Sequence, residues 1–310
     1  MIVTVTLNPA IDISYRVNNF KINKGHRVEN GNKTAGGKGL NVSRVLKQLG
    51  EHPHCLGFLG GSNGKWIKRQ LEIEGLEGSF TQIKEETRTC LAFIDEENST
   101  QTELMEKCPT VSEEEKEEFL ETYQQQFKKA TLIIASGSLP SWLDSSFYKD
   151  MSKLAKEQNI PFILDTSGEP LKLGIEGNPF LIKPNQEELT QFAGKELKTM
   201  EDMVEVAIRI CNQGVQNVLL SLGEGGAILV RKDVILKANI PSIPVVNPVG
   251  SGDSMIAGMA YSINNNLVLE ECLRMACACG MANAMEEKTG FVQSQMIKQL
   301  LKEINITSID

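Results

Sequence analysis

No run of apolar residues in this chain is long enough to span a bilayer, and no extended low-complexity tract suggests disorder. The opening "MIVTVTL" alternates like a strand and lacks the charged region and apolar stretch of a signal peptide, so a soluble, cytoplasmic protein is expected. Seven cysteines are scattered without CxxC pairs or zinc-ligand spacing, which sets aside structural metal and dithiol redox chemistry. Cys277 and Cys279, in "LRMACACGMANAM", read instead as small residues packing a buried helix. Two nucleotide-binding fingerprints, GxxxxGK[ST] and GxGxxG, are also missing. Acidic residues outnumber basic ones, 40 to 32, and the formal net charge of −8 argues against nucleic acid or an anionic membrane as partner. A locally basic pocket for an anionic substrate is still compatible with that balance.

What is present is a chain of 310 residues with 41% apolar content, enough for a sizeable core in one large α/β domain or two ordinary ones. Short strand-like runs ("TLIIAS", "PFILD", "NVLLSL") alternate with amphipathic helical stretches such as "EDMVEVAIRICNQG". That alternation predicts βαβ units and a parallel sheet covered by helices on both faces. Ligands in such sheets bind outside the carboxyl ends of the strands, where "SGSLP", "DTSG", "KPNQEE", "SLGEGG" and "NPVGSGD" fall. Two stretches, "ISYRVNNFKINKGHRVEN" and "ETRTCLAFIDEENSTQTELMEKC", read as consecutive strands without helices. They fit either a small secondary sheet over the site or an antiparallel edge on the main one. "SEEEKEEFLETYQQQFKK" carries a capping box, Ser112 with Glu115, and reads as a solvated structural helix.

Three loops carry chemistry. "NPVGSGDSMIAG" follows "IPVV", read as a strand end, and opens a helix, so its glycines lead to a helix N-terminus suited to an anion. An acid there, Asp253, needs a task of its own. "TAGGKGLNVSRVLKQLG" likewise sends Gly36, Gly37, Lys38 and Gly39 into a helix, and fits a tight turn or a ligand site equally. "LIKPNQEEL" sets Asn185 and Glu188 on one face of a starting helix, as a cap or as a water-rich Mg²⁺ site. Arg27, Lys38 and Arg88 would suit a phosphate if they converge, and are surface cations otherwise. Asp12, in "TLNPAID", fits sugar hydroxyls or a cap on the turn after Pro9.

These motifs, in this order and spacing from "TLNPAID" to "MANAMEEKTGFV", resemble the ribokinase-like, phosphofructokinase B family of sugar kinases. The resemblance implies a single three-layer α/β/α domain over 1–310, with a mostly parallel central sheet and a small β-sheet lid inserted at about 13–34 and 88–108. It implies that Gly250, Ser251 and Gly252 supply an anion hole and that Asp253 is the base for the acceptor hydroxyl. Asp12, Gly36, Gly37, Lys38, Asn41 and Ser138 then correspond to sugar contacts, and Arg27 and Arg88 to residues gripping the substrate's existing phosphate. Lys183, Asn185, Ser221, Gly223, Gly226 and Asn283 correspond to nucleotide-binding positions, with Asn185 and Glu188 ordering the metal through water.

The expected cosubstrate is ATP with Mg²⁺, a monovalent cation being an open addition, and the expected assembly is a homodimer through the lid. "TLNPAID" and the lysine of "GGKG" resemble the branch acting on tagatose 6-phosphate or fructose 1-phosphate. Some 6-phosphofructokinases of the family have only glycines where Lys38 stands. "NPVGSGDS" and "GMANAMEEKTGFV" resemble the tagatose 6-phosphate side of that branch, so phosphorylation of tagatose 6-phosphate to the 1,6-bisphosphate is the first expectation and fructose 1-phosphate the second. A non-catalytic sugar-phosphate or nucleotide sensor on the same scaffold is the reading from another class.

Overall fold

The structure, a computed structural model, describes residues 1–28, 31–98, 100–140 and 142–309. Strand β1 (Ile2–Thr6) passes through Leu7, Asn8 and Pro9 straight into β2 (Ala10–Val17), and β3 (Asn32–Gly36) passes through Gly37 into α1 (Lys38–Gln48). Next come β4 (His54–Gly60), α2 (Gly61–Ile73), β5 (Glu77–Ile83), β6 (Thr89–Asp95), β7 (Thr100–Met105) and α3 (Glu113–Gln125). The middle of the chain alternates: β8 (Leu132–Ser136), α4 (Phe147–Glu157), β9 (Phe162–Asp165), α5 (Gly168–Ile175) and β10 (Leu181–Ile182). After α6 (Gln186–Ala193) and α7 (Met200–Asn212), strands β11 (Asn217–Ser221), β12 (Ala227–Val230) and β13 (Ile235–Asn239) form a meander. Helices α8 (Ser251–Asn264), α9 (Leu269–Ala284) and α10 (Ser294–Glu303) lead to β14 (Asn305–Ser308).

Ten strands form the main sheet, in the order β14-β13-β12-β11-β10-β9-β8-β1-β4-β5. It is parallel from β5 to β11 and antiparallel across β12, β13 and β14. The period-2 alternation of its strands builds two cores. Val3, Val5, Ile133, Ala135, Val218 and Leu220 point to the face covered by α3, α4 and α7. Ile2, Leu132, Ile134 and Leu219 point to the face covered by α1, α8 and α9, where Cys277 and Cys279 are buried free thiols.

The two helix-free stretches form a separate four-stranded sheet, β3-β2-β6-β7. Its strands begin at Ala10 rather than 13 and close at Gly36; residues 29, 30 and 99 of the predicted lid lie outside the described residues. The antiparallel edge of the main sheet is built instead from β12, β13 and β14, which sequence patterning did not single out. "IPVV" is not a strand: residues 241–250 run as a loop. Pro241, Pro244 and Pro248 remove the donors a ladder needs, and Val246 and Asn247 instead donate to Ala284 O at the end of α9. Helix α3 keeps its capping box but tightens to a 3-10 turn at Gln126–Lys128.

Candidate active site

Main-sheet connectivity reverses at β1 and β8: from β1 the chain moves to β4, and it later returns to β8 on the other side. In open α/β sheets ligands bind outside the strand ends at such a switch point. Asn8, following β1, donates from Nδ2 to Ser138 Oγ beyond β8 (3.4 Å). Asp165 closes β9, Lys183 follows β10 and Ser221 ends β11. These side chains therefore stand in a row along one edge of the sheet.

Asp165 is the hub of that row. Its side chain is 1% exposed, with Lys183 Nζ 3.3 Å from Oδ1 and Lys38 Nζ 3.7 Å from Oδ2. Ser136 Oγ donates to Oδ2 at 3.0 Å. Burial opposes its charge, but the two ammonium groups and the hydrogen bonds win and hold the carboxyl below its usual range. Sequence reasoning placed "DTSG" at a strand end but did not single out Asp165. Its importance lies in partners distant in the chain.

Beside that row, α8 begins at Ser251 with Gly250 as its N-cap in the left-handed region (φ 82°), which favours glycine. The Ser251 amide is spent on Pro248 O (3.2 Å), so the first-turn amides of Gly252 and Asp253 are the ones left for an anion. A β-carbon on Gly252 would lie 3.0 Å from Lys183 Nζ, which shows how closely that ammonium approaches the loop. The Asp253 side chain is buried and accepts from Asn41 Nδ2 at 2.9 Å. Burial first, then the nearby Asp165 carboxylate, push its carboxyl up to about 6, against the pull of Asn41, Lys38 and Lys183. Lys38, half exposed above the hub, is raised by Asp165 and Asp253.

Asp12 lies within β2, paired with Thr34 and Cys90, so it caps no turn after Pro9. It is exposed yet lies against Gly36, where any β-carbon would strike its carboxylate, and the protein packed beside it pushes its carboxyl upward while Arg88 and Arg44 pull it down. Gly37 has φ 133° and packs on Thr6. Arg88 Nη2 reaches Asn8 O at 3.4 Å, and its buried Nε has no hydrogen-bond partner; neither does Asn8 Oδ1. Arg27 is exposed, on the segment between β2 and β3.

Asn185 and Glu188 form a complete capping box on α6: Glu188 N donates to Asn185 Oδ1 (2.8 Å) and Asn185 N to Glu188 Oε2 (2.9 Å). Both readings of this pair remain compatible, because Glu188 keeps its second oxygen. Ser221 bridges to Asn185, and the turn that follows has Gly223 and Gly226 at φ 57° and 85°. Asn283 departs from the expected adenine contact. It is fully buried, donating to Val249 O (2.9 Å) and accepting from Gly290 N (2.8 Å), and so holds the loop before α8 from behind.

At the topological switch point a helix N-terminus, two lysines and a buried carboxylate come together, an arrangement suited to phosphoryl transfer. The chain belongs to the pfkB family of carbohydrate kinases, whose pattern it matches over residues 5–296. It is 41% identical to a tagatose-6-phosphate kinase from Staphylococcus epidermidis, over all of both chains. Phosphofructokinase-2 from Escherichia coli, solved with substrates and products, superposes with a TM-score of 0.89 at 27% identity, covering 97% of this chain and 98% of that one. A protein from Thermotoga maritima named as a possible 1-phosphofructokinase superposes at 0.90 with 25% identity over both chains in full. The fold is ribokinase-like and the protein is a sugar-phosphate kinase.

Proposed function

We propose that this enzyme transfers the γ-phosphoryl group of ATP to the 1-hydroxyl of tagatose 6-phosphate, giving the 1,6-bisphosphate. The observation that carries the reading is Asp253: a buried carboxylate in the first turn of α8, beside amides that favour an anion and facing two lysines. Phosphoryl transfer asks mainly for positioning and charge stabilisation. Asp253 accepts the proton of the acceptor hydroxyl, while the amides of Gly252 and Asp253, with Lys183 and Lys38, stabilise charge on the transferring group. Asp12, Asn41 and Ser138 orient the sugar, and Arg88 and Arg27 grip its 6-phosphate. Ser221, Gly223 and Gly226 form the turn under the nucleotide.

No group of three or more metal-ligating side chains exists among the described residues. The donor set therefore suits an ion that keeps its waters, as Mg²⁺ does, with Glu188 and Asn185 holding those waters. When bound, Mg²⁺ would neutralise charge on the nucleotide phosphates. The exposed strand β7, bearing Leu104 and Met105, supports a homodimer through the small sheet.

The test is ADP production with Mg-ATP and tagatose 6-phosphate, fructose 6-phosphate or fructose 1-phosphate, with Asp253→Asn as control. Preference for tagatose 6-phosphate, lost in the variant, is the expected result. Preference for fructose 1-phosphate would favour the second reading, which the match to the Thermotoga maritima protein supports. That result would retain the mechanism and reverse the sugar.

A further inference from the structure

We propose that Arg44 is a positioning residue for phosphoryl transfer: clamped by Glu74 and Ala35, it fixes the Asn41 amide so that its nitrogen, and not its oxygen, faces Asp253. The inference rests on the reading of Asp253 as the base.

An asparagine side chain can present either its carbonyl oxygen or its NH₂ group to a neighbour, and the surrounding donors and acceptors decide which. Here Arg44 Nη1 donates to Asn41 Oδ1 at 3.0 Å, and Asn41 Nδ2 donates to Asp253 Oδ2 at 2.9 Å. A guanidinium has donors only, so it accepts nothing but the oxygen. Turned over, Asn41 would set NH₂ against the guanidinium and a carbonyl against a carboxylate, two repulsive contacts in place of two bonds.

Arg44 is itself immobilised. Nε lies 2.7 Å from Glu74 Oε2, Nη2 is 3.4 Å from Glu74 Oε1, and Nη2 also reaches Ala35 O at 2.5 Å. Its side chain is 14% exposed. Glu74 is the C-cap of α2, Ala35 belongs to β3 and Arg44 to α1, so three elements fix one planar group. Only an arginine has donors enough, in a rigid fork, to meet all three partners at once.

The groups facing Asp253 are Asp165 from β9, Lys38 and Asn41 from α1, and Lys183 beyond β10. Among them Asn41 alone forms a direct side-chain hydrogen bond to it, and that bond favours the ionised form a base needs. Arg44 acts through Asn41 rather than by contact with Asp253. A merely structural Arg44, tying α1 to α2, would affect stability and leave the base's titration alone.

The experiment is kcat and KM against pH for wild type, Arg44→Met, Arg44→Lys, Asn41→Ala and the Arg44→Met/Asn41→Ala double variant. Arg44→Met is expected to lower kcat about 10-fold or more, to change KM for the sugar phosphate less than about 3-fold, and to move the acid limb of kcat up by about one pH unit. On the Asn41→Ala background it should add little, because the two residues act as one unit. Arg44→Lys should recover only part of the loss. Additive losses with an unmoved acid limb would overturn the proposal while wild-type turnover, abolished in Asp253→Asn, kept the kinase reading intact. No wild-type turnover with any sugar phosphate would remove both. If Arg44→Met does not fold, Glu74→Gln applies the same test, with a smaller upward shift expected and an unmoved limb overturning the proposal.

Discussion

Lys183 Nζ stands 3.3 Å from Asp165 Oδ1, and the two side chains are only 6% and 1% exposed. Such a buried pair matters most when half of it is removed. Asp165→Asn removes the carboxylate that Lys183 and Lys38 both approach, leaving Asp253 beside them, and is expected to cost about 3 kcal/mol in urea unfolding at pH 7. The Asp165 carboxyl is depressed, so its contribution is present above the ordinary carboxylate pKa and is lost as pH falls through the folded value. The gap between wild type and variant should therefore narrow below about pH 4. A gap that stayed constant to pH 2 would mean that the pair contributes nothing through charge.

Asp253 has the opposite sign. Its folded pKa is raised to about 6, so the ionised group weighs against folding as pH climbs through that value. Asp253→Asn should melt higher than wild type at pH 8 and lose that advantage near pH 4. The same substitution should cut kcat by about 10³-fold or more. Thermal melts at the two pH values check the first part, and a variant that melts no higher at pH 8 counts against a buried ionised carboxylate.

Gly250 is required by shape. At φ 82° a β-carbon is strained, and it would also lie 2.5 Å from Thr289 Cγ2. Gly250→Ala is expected to destabilise by about 1–2 kcal/mol and to lower kcat more than it raises KM for ATP, since it tilts the first turn of α8. Steady-state kinetics with calorimetry measure both, and unaltered kcat would show that the loop tolerates a side chain.

Two substitutions separate the two uses of Glu188. Glu188→Gln keeps an acceptor for Asn185 N and should leave Tm nearly unchanged while raising the Mg²⁺ concentration needed for half-maximal rate. Glu188→Ala should also lose about 1 kcal/mol as the capping box opens. Magnesium titrations of the two variants beside their melting curves would distinguish these effects. Equal Mg²⁺ requirements in all three proteins would limit Glu188 to capping.

The loops at the strand ends were legible because their signals are local. Gly37, Gly250 and Gly226 announce left-handed or tight backbone wherever they stand, and the capping box of Asn185 and Glu188 spans four consecutive residues. Asp165, Arg44 and Asn8 were not singled out. In sequence Arg44 is one cation on a helix, and nothing nearby indicates Glu74, thirty residues on, or Asp253 far beyond. "IPVV" was misread for the reverse reason: Ile243, Val245 and Val246 have strand-like character, while the prolines around them withdraw the donors a sheet requires. Asn283 was placed near the nucleotide only through the family resemblance, whereas its amide holds Val249 and Gly290.

The small sheet joins the main body at four crossings: between β1 and β2 at Leu7–Pro9, between β3 and α1 at Gly36–Gly37, between β5 and β6, and between β7 and α3. The second joint is also the wall against Asp12 and the entry to the helix that carries Lys38, Asn41 and Arg44. A change in the set of β3 is therefore passed directly to the start of α1. On the reading of Asp253 as the base, the shape of the small sheet is thereby tied to the alignment of that carboxylate, so a swap of the small sheet from a relative should carry its own Gly36–Arg44 segment with it.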